Sequence, residues 1–220
     1  MTTVLLVRHA PTSATGHVLS GWTPGMHLND RGRGLADALA NRLRPLHLDA
    51  IVSSPLERCV ETAGAIALGR PLSPVLDDRL GECRYGDWTG QDLRVLAKDP
   101  LWKVVQAHPS GVTFPGGEAL RDVQARAVGA IRDWNDRLGS RATYLACSHA
   151  DVIKTIVADA LGLHLDQFQR ISISPASLTV IDYGSLRPTV LRLNDVGAPV
   201  DELQPARRTA RARRVASPPA

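Results

Sequence analysis

The sequence predicts a three-layer α/β/α sandwich on a mostly parallel central sheet with an antiparallel edge. Two observations carry this. Short apolar runs alternate with amphipathic helical stretches through Gly162, the pattern of a doubly wound parallel sheet. Beyond that point, residues 177–183 and 189–193 read as strands around Gly184-Ser185, a hairpin for one edge.

The first strand is Val4-Leu5-Leu6-Val7. Four apolar residues without alternation fit a strand covered on both faces. The run stops on Arg8-His9. Residues 11–29 form a loop rich in Gly, Pro, Ser and Thr, in which Trp22 and Met26 are expected to pack. Residues 30–44 read as a helix with Leu35, Leu39, Leu43 and Leu46 on its apolar side and Pro45 at its end. Residues 49–53 make a second strand. Ser54-Pro55-Leu56-Glu57 then has the spacing of a capping box with Pro at the first helical position, opening a helix to about Leu68. Val75-Leu76 is a short strand. Residues 80–90, with three glycines and two aromatics, form a structured loop around Glu82. Residues 92–106 read as helical, broken at Pro100, and 108–117 as a Pro/Gly-rich loop. The longest amphipathic stretch is 118–138, with Leu120, Val123, Ala127, Ile131, Trp134 and Leu138 on one stripe and Gly139 as its stop. Residues 143–147 form another buried strand, which ends on Ser148-His149-Ala150 and leads into a helix over 151–161.

Composition narrows the function classes. With 44% apolar and 22% charged residues, the 220-residue chain has the balance of a soluble globular protein. No apolar run approaches the ~20 residues that span a membrane, and the N-terminus lacks a signal-peptide pattern, so the expected location is cytoplasmic. The net charge of +4 belongs to a tail: residues 205–220 hold five of the 26 basic residues and no acid, which leaves −1 for the rest. The expected organisation is therefore one domain over 1–195 and a disordered Arg/Pro/Ala-rich tail over 196–220. A basic tail is not a basic face, and nucleic acid is not the expected partner. Cys59, Cys83 and Cys147 form neither a disulfide framework nor a metal-ligand spacing. They are expected to be buried thiols, with a redox role as the alternative.

Charged groups follow three strands in comparable places: Arg8 and His9 after the first, Arg58 after the second, His149 after the 143–147 strand. In a parallel sheet these ends share one edge, where ligands of open α/β folds bind. Two arginines and two histidines there make an anion pocket suited to a phosphoryl group. A neutral His9 could attack phosphorus, the other three could stabilise the equatorial oxygens, and Glu82 is the best-placed carboxylate to protonate the leaving alkoxide.

These pieces resemble the histidine phosphatase superfamily, also called phosphoglycerate mutase-like. The matching segments are Leu6-Val7-Arg8-His9-Ala10-Pro11-Thr12, Leu28-Asn29-Asp30-Arg31-Gly32, Ser53-Ser54-Pro55-Leu56-Glu57-Arg58, Glu82-Cys83-Arg84-Tyr85-Gly86-Asp87-Trp88, Pro115-Gly116-Gly117-Glu118 and Cys147-Ser148-His149-Ala150-Asp151. They occur in the family's order over roughly residues 3 to 195. The resemblance implies the phosphoglycerate mutase-like fold, His9 as the phosphorylated nucleophile, Glu82 as proton donor, and Arg8, Arg58 and His149 on phosphate. It extends the substrate-binding set to Thr15, Ser20, Gly21 and Ala150. No metal and no cofactor are implied, apart from 2,3-bisphosphoglycerate if the protein is a mutase. Ala10 and Ala150 stand where the family usually has glycine, and Thr15 where it commonly has asparagine.

A phosphatase of small phosphomonoesters is the favoured reading. Only about 35 residues separate Glu82 from Gly117, and Lys103 is the one base between Lys98 and Arg121. Mutases of the family carry a longer, arginine-bearing insertion there. A phosphomutase and a non-catalytic phosphate-ligand binder on the same fold are the alternatives. The expected partner is a small phosphorylated metabolite, and a homodimer is left open. Trp22, Trp88 and His108 are candidates for the variable wall of the pocket, with a structural role the favoured reading for each.

Overall fold

The computed structural model describes residues 1–197. Most of the tail expected over 196–220 lies outside the described residues. Six strands form one sheet: β1 (Thr2–Arg8), β2 (Ala50–Ser53), β3 (Val75–Leu76), β4 (Thr143–Ser148), β5 (Leu178–Tyr183) and β6 (Pro188–Asp195), in the order β3-β2-β4-β1-β5-β6. β1 pairs parallel to β4, and β2 parallel to both β4 and β3. β5 runs antiparallel to β1, and β6 antiparallel to β5, as the hairpin pattern predicts. The helices are α1 (Asp30–Leu43), α2 (Glu57–Ala67), α3 (Leu93–Leu96), α4 (Pro100–Ala107), α5 (Leu120–Leu138) and α6 (Ala150–Ala160). Among the described residues no helix is long and apolar enough to cross a membrane.

The unbroken apolar strands are explained by burial on two sides. Val4 and Leu6 of β1, with Tyr144 and Ala146 of β4, belong to the larger core under α5 and α6. Leu5 and Val7, with Leu145 and Cys147, face the second core under α1 and α2. Alternate side chains of one strand thus feed opposite layers. Each of these fully buried valines and leucines contributes roughly 1.5–3 kcal/mol of transfer free energy. The stripe on α5 is as read, Leu120, Val123, Ala127, Ile131 and Trp134 all being buried, and Gly139 closes it at φ +77°. Pro100 divides α3 from α4, and each begins on an aspartate cap, Asp92 or Asp99.

Two local readings are corrected. The buried side of α1 is Gly32, Ala36, Leu39 and Leu43; Leu35 and Leu46 are exposed. The helix presents small residues to the chain that follows β1, so its leucine row is only half apolar seam. The capping box does not form either. α2 starts at Glu57 with Leu56 as its cap residue, so Pro55 precedes the helix. Ser54 Oγ lies 2.8 Å from His149 Nε2, and Glu57 Oε1 accepts from the Gly25 amide at 2.9 Å. Both side chains are engaged by tertiary partners, which outweigh a reciprocal local cap.

Gly32 marks how the site loop is held. Its amide donates to the Asn29 side chain at 2.7 Å, and a Cβ there would sit 2.1 Å from the Pro11 carbonyl oxygen. Helix α1 thereby locks the chain two residues past His9. Gly32→Ala should destabilise the protein by about 2 kcal/mol in chemical denaturation, although alanine favours helix by up to ~1 kcal/mol.

Candidate active site

The C-terminal ends of β1, β2 and β4 point to one edge of the sheet, and a cavity of about 210 Å³ opens there. Arg8, His9, Thr15, Ser20, Gly21, Arg58, Glu82 and Ala150 all line it, as expected. His149 does not reach the wall. It is fully buried one layer behind, against Arg58 and Glu82. A larger hollow of about 730 Å³ lies between α1 and α2, but its lining, which includes Asp37, Arg44 and Arg70, holds no nucleophile beside a proton donor. Chemistry rather than size picks out the site.

Arg58 is its hub. The side chain is only 2% exposed although it is charged. Its Nη2 donates to the Gly21 carbonyl at 2.8 Å and to His149 Nδ1 at 3.3 Å, and its Nε donates to His9 Nε2 at 3.3 Å. Gly21 holds that carbonyl in place at φ +49°. Each histidine must therefore offer a lone pair to Arg58. On its other side His9 Nδ1 lies 2.8 Å from the Ala10 carbonyl, which only an N–H can satisfy, so Nδ1 carries the proton and Nε2 keeps its lone pair, which Arg58 Nε meets. The same logic puts the His149 proton on Nε2, donated to Ser54 Oγ at 2.8 Å. Burial, then the Arg58 charge, pushes His9 down to about 3 and His149 well below its usual value. Both rings are neutral at physiological pH.

Arg8 donates Nη1 to the Ile173 carbonyl at 2.6 Å. Its Nε and Arg58 Nη1 are buried without a partner. Two guanidinium donors left unpaired beside one cavity, with the first turn of α6 opening onto it at Ala150, suit an anion. Neither Ala10 nor Ala150 has positive φ, so alanine is unstrained at both positions.

Glu82 faces these cations. Burial and then the negative charge of Asp151 lift its carboxyl to about 7, against the pull of Arg58 and Arg8. Its backbone is clamped. The Glu82 carbonyl accepts from Trp22 Nε1 at 2.6 Å and from Arg126 Nη2 at 3.0 Å. Arg126 Nη1 also caps the carbonyls of Arg79 and Gly81, while Glu118 accepts from Arg126 Nε and Nη2 and from the Arg84 amide. The Trp22 ring lies so close over Gly81 that a Cβ there would meet it at 2.3 Å.

None of the three wall candidates reaches the cavity, and Trp22 and Trp88 take the structural places favoured for them. Trp22 holds the acid loop from outside the cavity. Trp88 is buried against Trp102 and Phe114, and His108 is exposed beside Asp166. All three lie outside the cavity lining. Two functional groups escaped sequence reasoning: Tyr85 and Asp151 both line the cavity, joined by a 2.9 Å hydrogen bond from the phenol to the carboxylate. Tyr85, three residues past Glu82, and Asp151, two past His149, sit inside the quoted motifs; proximity to a site residue was the available signal. Burial raises the Cys83 and Cys147 thiols, so neither has the lowered pKa that the redox reading needs.

A profile of the histidine phosphatase superfamily (branch 1) matches residues 4–196. The chain belongs to that family. It is 32% identical over 204 residues to phosphoserine phosphatase 1 of Hydrogenobacter thermophilus, covering 88% of this chain and 92% of that one. It is 30% identical over 187 residues to a probable phosphoglycerate mutase GpmB of Cronobacter sakazakii, covering 83% and 86%. Among solved structures, YhfR of Bacillus stearothermophilus superposes with a TM-score of 0.82 at 31% identity, over 89% of this chain and 98% of that one. The expected family and fold are both met.

The raised carboxyl of Glu82 has a thermodynamic consequence. Between about pH 4.5 and 7 the folded chain keeps a proton that the unfolded chain has lost, so stability from this group falls as pH rises through that window. Glu82→Gln should remove a loss on the order of 2–3 kcal/mol between pH 5 and 8, read from denaturation midpoints. Arg126→Met, which frees Glu118 and three carbonyls at once, should cost about 3 kcal/mol in the same assay.

Proposed function

We propose that this protein is a phosphatase of small phosphomonoesters acting through a phosphohistidine on His9. The observation that carries the reading is the arrangement around that ring: Nδ1–H is tied to Ala10, the unprotonated Nε2 meets Arg58 Nε at 3.3 Å, and the same cavity is lined by Arg8 and Arg58, each with a buried guanidinium donor that lacks a partner. The phosphoryl oxygens take the place opposite Arg8 Nε and Arg58 Nη1. His9 Nε2 attacks phosphorus as the ester P–O bond breaks, and Glu82 gives its proton to the leaving alkoxide. Glu82, now a carboxylate, takes a proton from the incoming water. That water displaces the imidazole from phosphorus, releasing inorganic phosphate and neutral His9. Arg58 and Arg8 stabilise the equatorial charge in both steps, and His149 acts from behind the wall by holding the Arg58 guanidinium. The two guanidiniums supply the positive charge, so this mechanism needs no metal.

A phosphomutase is the second reading, kept by the relative named as a probable mutase. One feature of the cavity favours hydrolysis. Among the described residues Arg8 and Arg58 are the only cations in its lining, which also carries Glu82 and Asp151 rather than a further base for a substrate carboxylate. The segment between Glu82 and Gly117 adds Tyr85 and Leu93 to the wall. A volume near 210 Å³, below the 300–1,000 Å³ usual for drug-sized ligands, suits a phosphoryl group with a short alcohol. The relatives named as phosphoserine phosphatase and glucosyl-3-phosphoglycerate phosphatase support hydrolysis of a phosphomonoester, without fixing its alcohol portion.

His9→Ala should lower turnover of an aryl phosphate about a thousandfold or more while leaving the fold intact by circular dichroism; wild-type rates in that variant would end the phosphohistidine reading. For alkyl phosphates kcat should fall as pH rises through about 7, where Glu82 loses its proton, with no inflection from His9 between pH 5 and 7. Glu82→Gln should abolish that alkaline limb. Activity should survive EDTA; loss restored by a divalent ion would contradict the mechanism. A panel of phosphorylated metabolites decides between the two readings, since robust interconversion of 2- and 3-phosphoglycerate identifies a mutase.

A further inference from the structure

The proposed mechanism uses His9, Arg8, Arg58, Glu82 and His149, and leaves one charged group in the cavity wall without a task. Asp151 lies in the first turn of α6, beside Ala150. Its Oδ2 accepts from the Tyr85 hydroxyl at 2.9 Å, and its Oδ1 faces Lys154 Nζ at 3.3 Å. Tyr85 is buried and its phenol is kept neutral by burial, so it acts as a donor that fixes the rotamer of Asp151. Lys154 is also held, at 3.1 Å from Gln169 Oε1, and does not reach the cavity lining. A second carboxylate is a liability in a site for dianions unless it meets part of the ligand. The ligand itself is indicated independently by Arg58 Nη1, a buried donor without a partner in the same wall.

Charge assigns the part of the ligand that Asp151 meets. The phosphoryl end belongs to Arg8, His9 and Arg58. Glu82 must reach the bridging ester oxygen. Asp151 is near enough to Glu82 to act on its charge, and it shares the wall with Tyr85. A carboxylate in the same lining repels the phosphoryl dianion, so the part of the ester it can accept is the alcohol portion. We infer that Asp151 sets the charge of the leaving group: its carboxylate selects phosphomonoesters whose alcohol portion carries an ammonium or hydroxyl donor close to the ester and disfavours those carrying a carboxylate there. A second lone pair on each Asp151 oxygen remains to accept a donor, while a carboxylate would meet like charge in a low-dielectric wall. This rests on the phosphatase reading and narrows its substrate class.

Three two-carbon esters that differ only in the terminal group test it: 2-aminoethyl phosphate, 2-hydroxyethyl phosphate and carboxymethyl phosphate, assayed for phosphate release with the full chain. The native protein should give a kcat/KM at least tenfold higher for the amino than for the carboxyl ester, with the hydroxyl ester between them. Asp151→Asn should reduce that ratio at least fivefold. Lys154→Met, which removes the cation that offsets Asp151 from outside the wall, should raise it at least threefold. Because each ratio is taken within one protein, a general loss of activity does not move it, and Lys154→Met carries the test alone if Asp151→Asn does not fold. A native ratio of one or less, or ratios within twofold of native in every variant that folds, overturns the assignment. His9→Ala with p-nitrophenyl phosphate separates the two levels. Flat ratios with His9-dependent turnover remove Asp151 alone, whereas turnover without His9 removes the phosphohistidine reading beneath it.

Discussion

A guanidinium with almost no access to water organises this protein. Arg58 carries a full charge at 2% exposure, and a charge in such a place stands only when it is hydrogen-bonded on several sides. It finds the Gly21 carbonyl and one nitrogen of each of two histidines. That choice of acceptors forces both rings to be neutral and fixes both tautomers. The Ala10 carbonyl and the Ser54 hydroxyl complete the pattern by taking the opposite ring protons. Charge, tautomer and nucleophile are thus one constraint. A protonated His9 would oppose Arg58 and lose the lone pair that the proposed chemistry needs.

The rest of the fold can be understood as support for that constraint. Three parallel strands bring Arg8, His9, Arg58 and His149 to one edge, and their side chains are buried on two faces, so the strand ends are rigid. Glu82 comes from a loop, where rigidity must be supplied by other means. Trp22 and Arg126 grip its carbonyl, and Glu118 grips Arg126. Burial and Asp151 then lift the carboxyl, against Arg58 and the Cys83 amide that donates to its Oε1 at 3.0 Å. The cavity lining thus holds two arginines and two carboxylates together.

Much of this was legible in the sequence for a plain reason. Apolar runs interrupted by Arg-His, Arg and His report strand ends, and parallel strands put their ends together. Hence Arg8, His9, Arg58 and Glu82 line one cavity as expected, and His149 packs directly behind them. Thr15, Ser20, Gly21 and Ala150, expected from resemblance alone, also reach the wall. Where reading failed, a local rule met a stronger tertiary partner. Ser54 and Glu57 have capping-box spacing, but His149 and the Gly25 amide take them. Leu35 has helical spacing, but the face of α1 turned to the core is the one that lets Gly32 approach Pro11.

By itself the sequence determined the family, the alternation of strands and helices, and the residue types at the strand ends, because periodicity and short motifs are local properties of the chain. Only the tertiary structure decided which nitrogen of each histidine bears the proton, that Glu82 is held protonated near neutrality, and that Tyr85 and Asp151 share the cavity with it. It also decided that Trp22, Trp88 and His108 lie away from the wall. These outcomes depend on burial and on partners distant in sequence, such as Arg58 with His149 or Trp22 with Glu82. No spacing rule along the chain encodes which of them meet.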